Sequence, residues 1–272
     1  MNYRNEARLR LDAAKNELTS GDDARLKYAA LELRMSMEAL TYDRALAFKD
    51  EFPPAEYQTW QPKKVMLVLL EIHPSADADR ALAIGGPAEE GVPASIMHSL
   101  GTERVLNMRA LKKHYDALGS YLHLPSMKQT IEGRTVDSAK LRKRCEELAA
   151  LIDDVLSSRI FNVTLGVFST MNCFRCERPI RKRVQDEQEA VAECFDCHAT
   201  YSLVPVENGQ IEWHPKGRDV ACPREGCAGR IFVWEADQQV GKHWECNTCG
   251  GRNALVLAVH QEAASPSGQV AE

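Results

Sequence analysis

The 272-residue sequence lacks any long apolar run; the longest, Val65 to Leu70, covers six residues. A bilayer-spanning helix needs about 20, so no membrane span is expected. No targeting leader is evident, which makes the cytoplasm the expected compartment. Neither sign of charge dominates, at a formal net of −5. From 173 to 260, 11 Lys+Arg against 13 Asp+Glu give 11 − 13 = −2, which speaks against broad electrostatic binding to duplex DNA. Aromatic residues make up only 7% and no internal repeat stands out apart from the cysteine pairs described next. The remaining composition, 44% hydrophobic, is that of an ordinary soluble chain long enough for about two domains.

Cysteine is the residue with a pattern. Eight of the nine lie in four close pairs: Cys173/Cys176, Cys194/Cys197, Cys222/Cys227 and Cys246/Cys249. Each pair supplies two thiolates from one tight turn, and two such turns make a tetrahedral S₄ cage suited to Zn²⁺. The stretches between neighbouring pairs, 17 residues (194 − 176 − 1) and 18 (246 − 227 − 1), suit a hairpin between two knuckles. Two structural zinc ions per chain are therefore expected, with sequential pairing favoured over cross-braced or nested pairing. Disulfides would need an oxidising compartment. Cys194-Phe-Asp-Cys197-His198 also fits a haem-attachment pattern, and His198 is a conceivable substitute ligand; four thiolates per site already suffice. A redox CxxC would be expected beside a βαβ pattern, and none is evident. Closed Cys₄ sites have no open position, so their role is structural. Arg175, Arg178, Arg181, Lys182 and Arg183, with Phe174, form a local basic cluster that could touch nucleic-acid phosphates and stack one base; a solvated hairpin face accounts for it equally well.

The fold class expected is α+β: an N-terminal all-α bundle over 1–158, two small β-rich zinc-ribbon modules over 159–262, and a disordered tail over 263–272. Helices are expected from Arg4 to Thr19 and from Asp23 to Lys49, the second burying Tyr28, Leu31, Met35, Ala39, Tyr42 and Leu46. Another, 62–73, starts on Pro62 and is apolar all round, as a central helix would be, although a buried strand fits the same run. Ala83 to Ser95 reads as a loop. Ser95 caps a stretch reaching Leu124, with a break near Gly101. Asp137 or Ser138 opens a last helix whose seam is Leu141, Cys145, Leu148, Ile152 and Val155; Cys145 is thus a core thiol. Ile160 to Phe168, Tyr201 to Val204, Ile231 to Trp234 and Leu255 to Val259 read as strands.

Within Arg109-Ala-Leu-Lys-Lys-His114 an arginine is followed, after four residues, by a histidine. With the long charged helix before it, this stretch makes residues 1–158 resemble the HEPN superfamily, compact helical bundles that are often dimeric. The resemblance implies a homodimer and metal-independent RNA cleavage, in a bacterial toxin or anti-phage defence setting. His114 would be the base for the 2′-hydroxyl and Arg109 the cation for the developing phosphorane charge. Tyr115, Asp116, Tyr121 and His123 share the segment. Ala110 departs from the polar residue that many catalytic members carry after the arginine. Five positions on a helix turn the two side chains about 140° apart, so a site would need two copies. The competing expectation is a non-enzymatic adaptor, whose helical domain oligomerises while its ribbons recruit a protein or nucleic-acid partner.

Overall fold

A computed structural model of the chain describes residues 1–58, 61–86, 96–124, 126–133, 137–184, 190–206 and 209–258. It divides into two compact units, Met1–Gly166 and Val167–Glu272. The tail expected from 263 lies outside the described residues, as do Ser95 and Val259.

The first unit contains α1 (Tyr3–Thr19), α2 (Leu26–Ala47), α3 (Pro62–Ile72), a hairpin of β1 (Arg80–Gly85) and β2 (Met97–Glu103), then α4 (Met108–Gly119), a short α5 (Met127–Ile131) and α6 (Ser138–Ser157). Short polar side chains start the helices: Asn2 accepts from Asn5 N, Asn107 from Ala110 N and Asp137 from Lys140 N. Pro62 occupies the first turn of α3, where a missing N–H costs nothing.

Helix α2 is the centre, touching α1, α3, α4 and α6. Its buried seam is Leu26, Ala29, Ala30, Leu33, Met37, Leu40 and Arg44, rotated from the seam expected, of which only Ala39 is buried. Tyr28, Leu31 and Leu46 are 41–50% exposed. Alanines and Ser36 face the neighbour because α1 approaches closely; the Ser36 hydroxyl, fully buried, donates to Ala7 O at 2.9 Å. Helix α3 is not buried all round either, since Leu67 is 48% exposed while Val65, Met66 and Leu69 pack inward. The α6 seam is buried as expected, Cys145 completely, and burial pushes its thiol up to about 11.

The β1–β2 hairpin, in which Arg80 pairs with Glu103 and Gly85 with Met97, corrects the loop expected from Ala83 over residues 83–85 and the helix expected after Ser95 over Met97–Glu103; residues 87–95 lie outside the described residues. Asn107, not Ser95, caps the helix carrying Arg109.

Among the described residues the second unit has four hairpins: β3 (Val167–Asn172) with β4 (Pro179–Val184), β5 (Ala190–Glu193) with β6 (Thr200–Pro205), β8 (Gly217–Ala221) with β9 (Arg230–Trp234), and β10 (His243–Glu245) with β11 (Arg252–Ala254). A seventh strand in chain order, β7 (Ile211–Pro215), extends the second hairpin to three strands. Strand structure begins at Val167, not Ile160, because residues 160–163 are held by the first unit: Phe161 lies under Arg4, Asn162 donates to Asp43 and Val163 N to Glu103. Residues 255–258 carry no strand, and among the described residues the last strand is β11.

Candidate metal centres

Each cysteine pair sits at the tip of one hairpin, so sequence-adjacent hairpins bring their tips together. Cys173, Cys176, Cys194 and Cys197 form one cluster, and Cys222, Cys227, Cys246 and Cys249 the other. Within each, the sulfurs lie within 4.8 Å of one another. The pairing is sequential.

The backbone explains the geometry. In the first cluster Cys173 N donates to Arg178 O and Glu177 N to Cys173 O, both at 2.8 Å; Cys194 repeats the pattern with Ala199 and His198. Cys246 does so with Gly251 and Gly250. In these three knuckles the residue after the second cysteine takes positive φ. Gly250 does this at no steric cost, at φ 65°, whereas Glu177 and His198 adopt φ 61° and 60° with a Cβ in place. His198 is therefore a turn residue and not a ligand: it is exposed, and its Nδ1 is 2.6 Å from Glu193 Oε1. In the longer knuckle, the third in chain order, Cys222-Pro-Arg-Glu-Gly-Cys227, the positive φ instead falls on Gly226, before the second cysteine, at 73°.

The sulfur spacing tests the fit to a metal. Cys173–Cys197 and Cys176–Cys194 are 3.6 and 3.5 Å apart, and Cys222–Cys249 and Cys227–Cys246 both 3.8 Å. A tetrahedron with Zn–S of about 2.3 Å has S···S edges of about 3.8 Å. All eight thiols are free, which excludes the disulfide alternative here. Burial raises the Cys173 thiol, but hydrogen bonds from Tyr201 and from backbone N–H groups outweigh it and bring it down to about 6. The backbone N–H groups of Cys249 and Thr248 bring Cys246 down to about 6 as well. Other thiols move the opposite way, Cys194 and Cys197 upward through burial, so each cluster has at least one thiol that ionises readily, as metal binding requires. All four positions of each are filled by sulfur, so such a metal would have no open coordination site.

The two modules are joined around Tyr201. Its ring meets Trp213 at 5.9 Å and Trp234 of the second module at 5.4 Å, both edge-on. Glu235 N donates to Lys216 O, Lys216 N to Thr200 O, and Arg175 pairs with Asp237 at 2.8 Å.

The basic cluster does not form one face. Arg181 and Arg183 lie over the Phe168 ring at 3.8 and 4.5 Å, and Arg183 is buried. Lys182 points to the opposite side of β4, Arg175 is taken by Asp237, and Arg178 is exposed.

Arg109 and His114 are both on α4, but Arg109 is exposed and His114 only 5% exposed. The two do not share an exposed face, since His114 lies on the inward seam with Leu111, Tyr115 and Leu118. Burial, then Lys113 and Arg144, lower its pKa, and among the described residues its Nδ1 has no partner. Tyr115 is buried and donates to Glu38 at 2.5 Å, Asp116 pairs with Lys63, and His123 is exposed.

Sequence reading missed a buried charge cluster. Arg44 and Glu103 pair at 2.8 Å with side chains 3% and 1% exposed, beside Arg4 and Asp43. Only the odd polar residue on an apolar seam could have signalled it.

Fold and site together define an α+β protein: a helical unit followed by two Cys₄ clusters able to hold metal ions, arranged as in zinc ribbons. No described helix is long and apolar enough to cross a membrane. The chain matches no protein-family model, no curated protein and no solved structure.

Proposed function

We propose that the chain is a non-catalytic adaptor whose two Cys₄ clusters each hold one Zn²⁺ and whose ribbons recruit a protein segment. The observation that carries this reading is a groove of about 240 Å³ on the second module. One wall is the β8–β9 hairpin, with Arg218 opposite Val233 and Val220 opposite Ile231; the other carries Trp244, Asn253 and Leu255, and Pro223 closes it. All of β8 is exposed, Val220 at 45%. Arg218 has no ion pair among the described residues, so the fitting occupant is an apolar segment carrying an acidic group. An apolar wall with one cation at its rim suits such a peptide better than a phosphate backbone.

The alternative is metal-independent RNA cleavage through Arg109 and His114. Support for it comes from the HEPN resemblance and from a His114 held neutral near pH 7. Against it stand the burial of that histidine and the exposure of Arg109 on another face of α4.

The test uses zinc-loaded full-length protein and a phage-displayed peptide library. Selected peptides should be apolar with an acidic residue, and Val220→Asp should weaken them about tenfold or more, the size of a modest hot spot, with both metals retained. Failure to select peptides, together with RNA cleavage that His114→Ala abolishes, would overturn the adaptor reading in favour of the nuclease.

A further inference from the structure

We infer that Tyr201 is a positioning residue of the first metal centre: its hydroxyl donates to the Cys173 sulfur and sets how tightly that centre, and not the second, keeps its metal. This rests on the two-zinc reading and deepens it.

Tyr201, on β6, is 0% exposed. Its Oη lies 3.2 Å from Cys173 Sγ and also accepts from Phe174 N at 3.0 Å. A phenol has one proton to give. With an N–H already directed at the oxygen, that proton goes to the sulfur, which as a thiolate ligand can only accept. Arg175 N adds a second donor to the same sulfur at 3.4 Å. The phenol cannot swing away, because Phe174, Trp213 and Trp234 pack edge-on around its ring at 5.8, 5.9 and 5.4 Å. Trp213 is itself fixed by a 2.8 Å bond to Ser169 Oγ. The second centre is built differently: among the described residues its sulfurs take backbone donors, such as Gly229 N to Cys227 at 3.4 Å and the N–H groups of Thr248 and Cys249 to Cys246, and no side-chain hydroxyl. Donors behind metal ligands fix their orientation and are worth about 10–100-fold in metal affinity. The arrangement therefore makes the two centres unequal. It also couples the firmer one to the joint with the second module through Trp234.

The test compares wild type with Tyr201→Phe, which keeps the ring and its packing and deletes only the donor. Native mass spectrometry of the full chain should first show two zinc ions in wild type; none would sink the two-zinc reading itself. Against a competing chelator, Tyr201→Phe should lose one zinc about 10–100-fold more readily. In a Cys249→Ser background, which disables the second centre, the difference should persist; in a Cys197→Ser background it should vanish. Two zincs in wild type with equal retention in Tyr201→Phe would overturn the inference and leave the two-zinc reading intact. Should Tyr201→Phe fail to fold, Co²⁺-loaded Cys249→Ser protein labelled with difluorotyrosine, a stronger donor, decides instead. Its thiolate-to-cobalt absorption should shift, and an unshifted band would overturn the inference.

Discussion

Glu103→Gln removes a charge from the middle of the helical unit without changing its shape. Glu103 is 1% exposed and its Oε1 takes both the Arg44 Nη1 donor at 2.8 Å and the Val163 N–H at 3.0 Å. Arg44 is equally enclosed; its Nε donates to Ala76 O at 3.0 Å and its guanidinium lies 5.3 Å from the Phe48 ring centre. Burial pulls the Arg44 pKa down and the Glu103 charge holds it up. Glutamine keeps an acceptor for Val163 but leaves a buried cation with no counter-charge at contact distance. Breaking one side of such a pair costs about 3–5 kcal/mol. For a unit of this size that is a melting temperature lower by roughly 6–20 °C. The Arg44→Met/Glu103→Leu double variant removes both charges, together with the orphaned Arg44 Nη2 and Glu103 Oε2. It strands only Ala76 O and Val163 N–H, at about 1–3 kcal/mol each. Its loss should therefore be smaller than the two single losses added. Urea unfolding followed by far-ultraviolet circular dichroism reads these values. A Glu103→Gln protein within about 0.5 kcal/mol of wild type, well inside the scatter of ordinary surface changes, would refute the reasoning.

Residues 1–166 should melt higher than residues 1–158, by about 1–3 kcal/mol, because the shorter piece lacks Asn162 on Asp43, Val163 on Glu103 and Phe161 under Arg4; equal melting would show those contacts to be idle. His114 gives the helical unit a pH dependence of known sign. Its folded pKa is lowered by burial, Lys113 and Arg144, with Glu147 opposing. The unfolded chain, with an imidazole near 6.5, binds more protons. Stability is full above about pH 6.5 and falls as the pH drops through the window below it. His114→Leu should flatten the melting temperature between pH 7 and 5, and a slope unchanged by that substitution would show that other groups set it.

The sequence alone determined the features that rest on local chemistry. Four close pairs dictate which two cysteines share a turn, because a two- to four-residue gap holds two sulfurs together whatever surrounds it; which knuckles meet was decided by the fold. Asp137 and the 141–155 seam likewise fix α6, since a cap and a 3.6-residue period act within one helix. Tertiary structure decided what depends on a neighbour. The phase of α2 follows the close approach of α1, which selects Ala29, Ala30 and Ser36 over Tyr28 and Leu31 for the interior. The β1–β2 hairpin, with β2 exposed along most of its length, offers no alternation of polar and apolar residues in the sequence to betray it. Tyr201 beside Cys173 and Arg44 beside Glu103 are 28 and 59 residues apart in the chain. Short-range propensity carries no record of such pairs, because their energies exist only once packing has excluded water from between them.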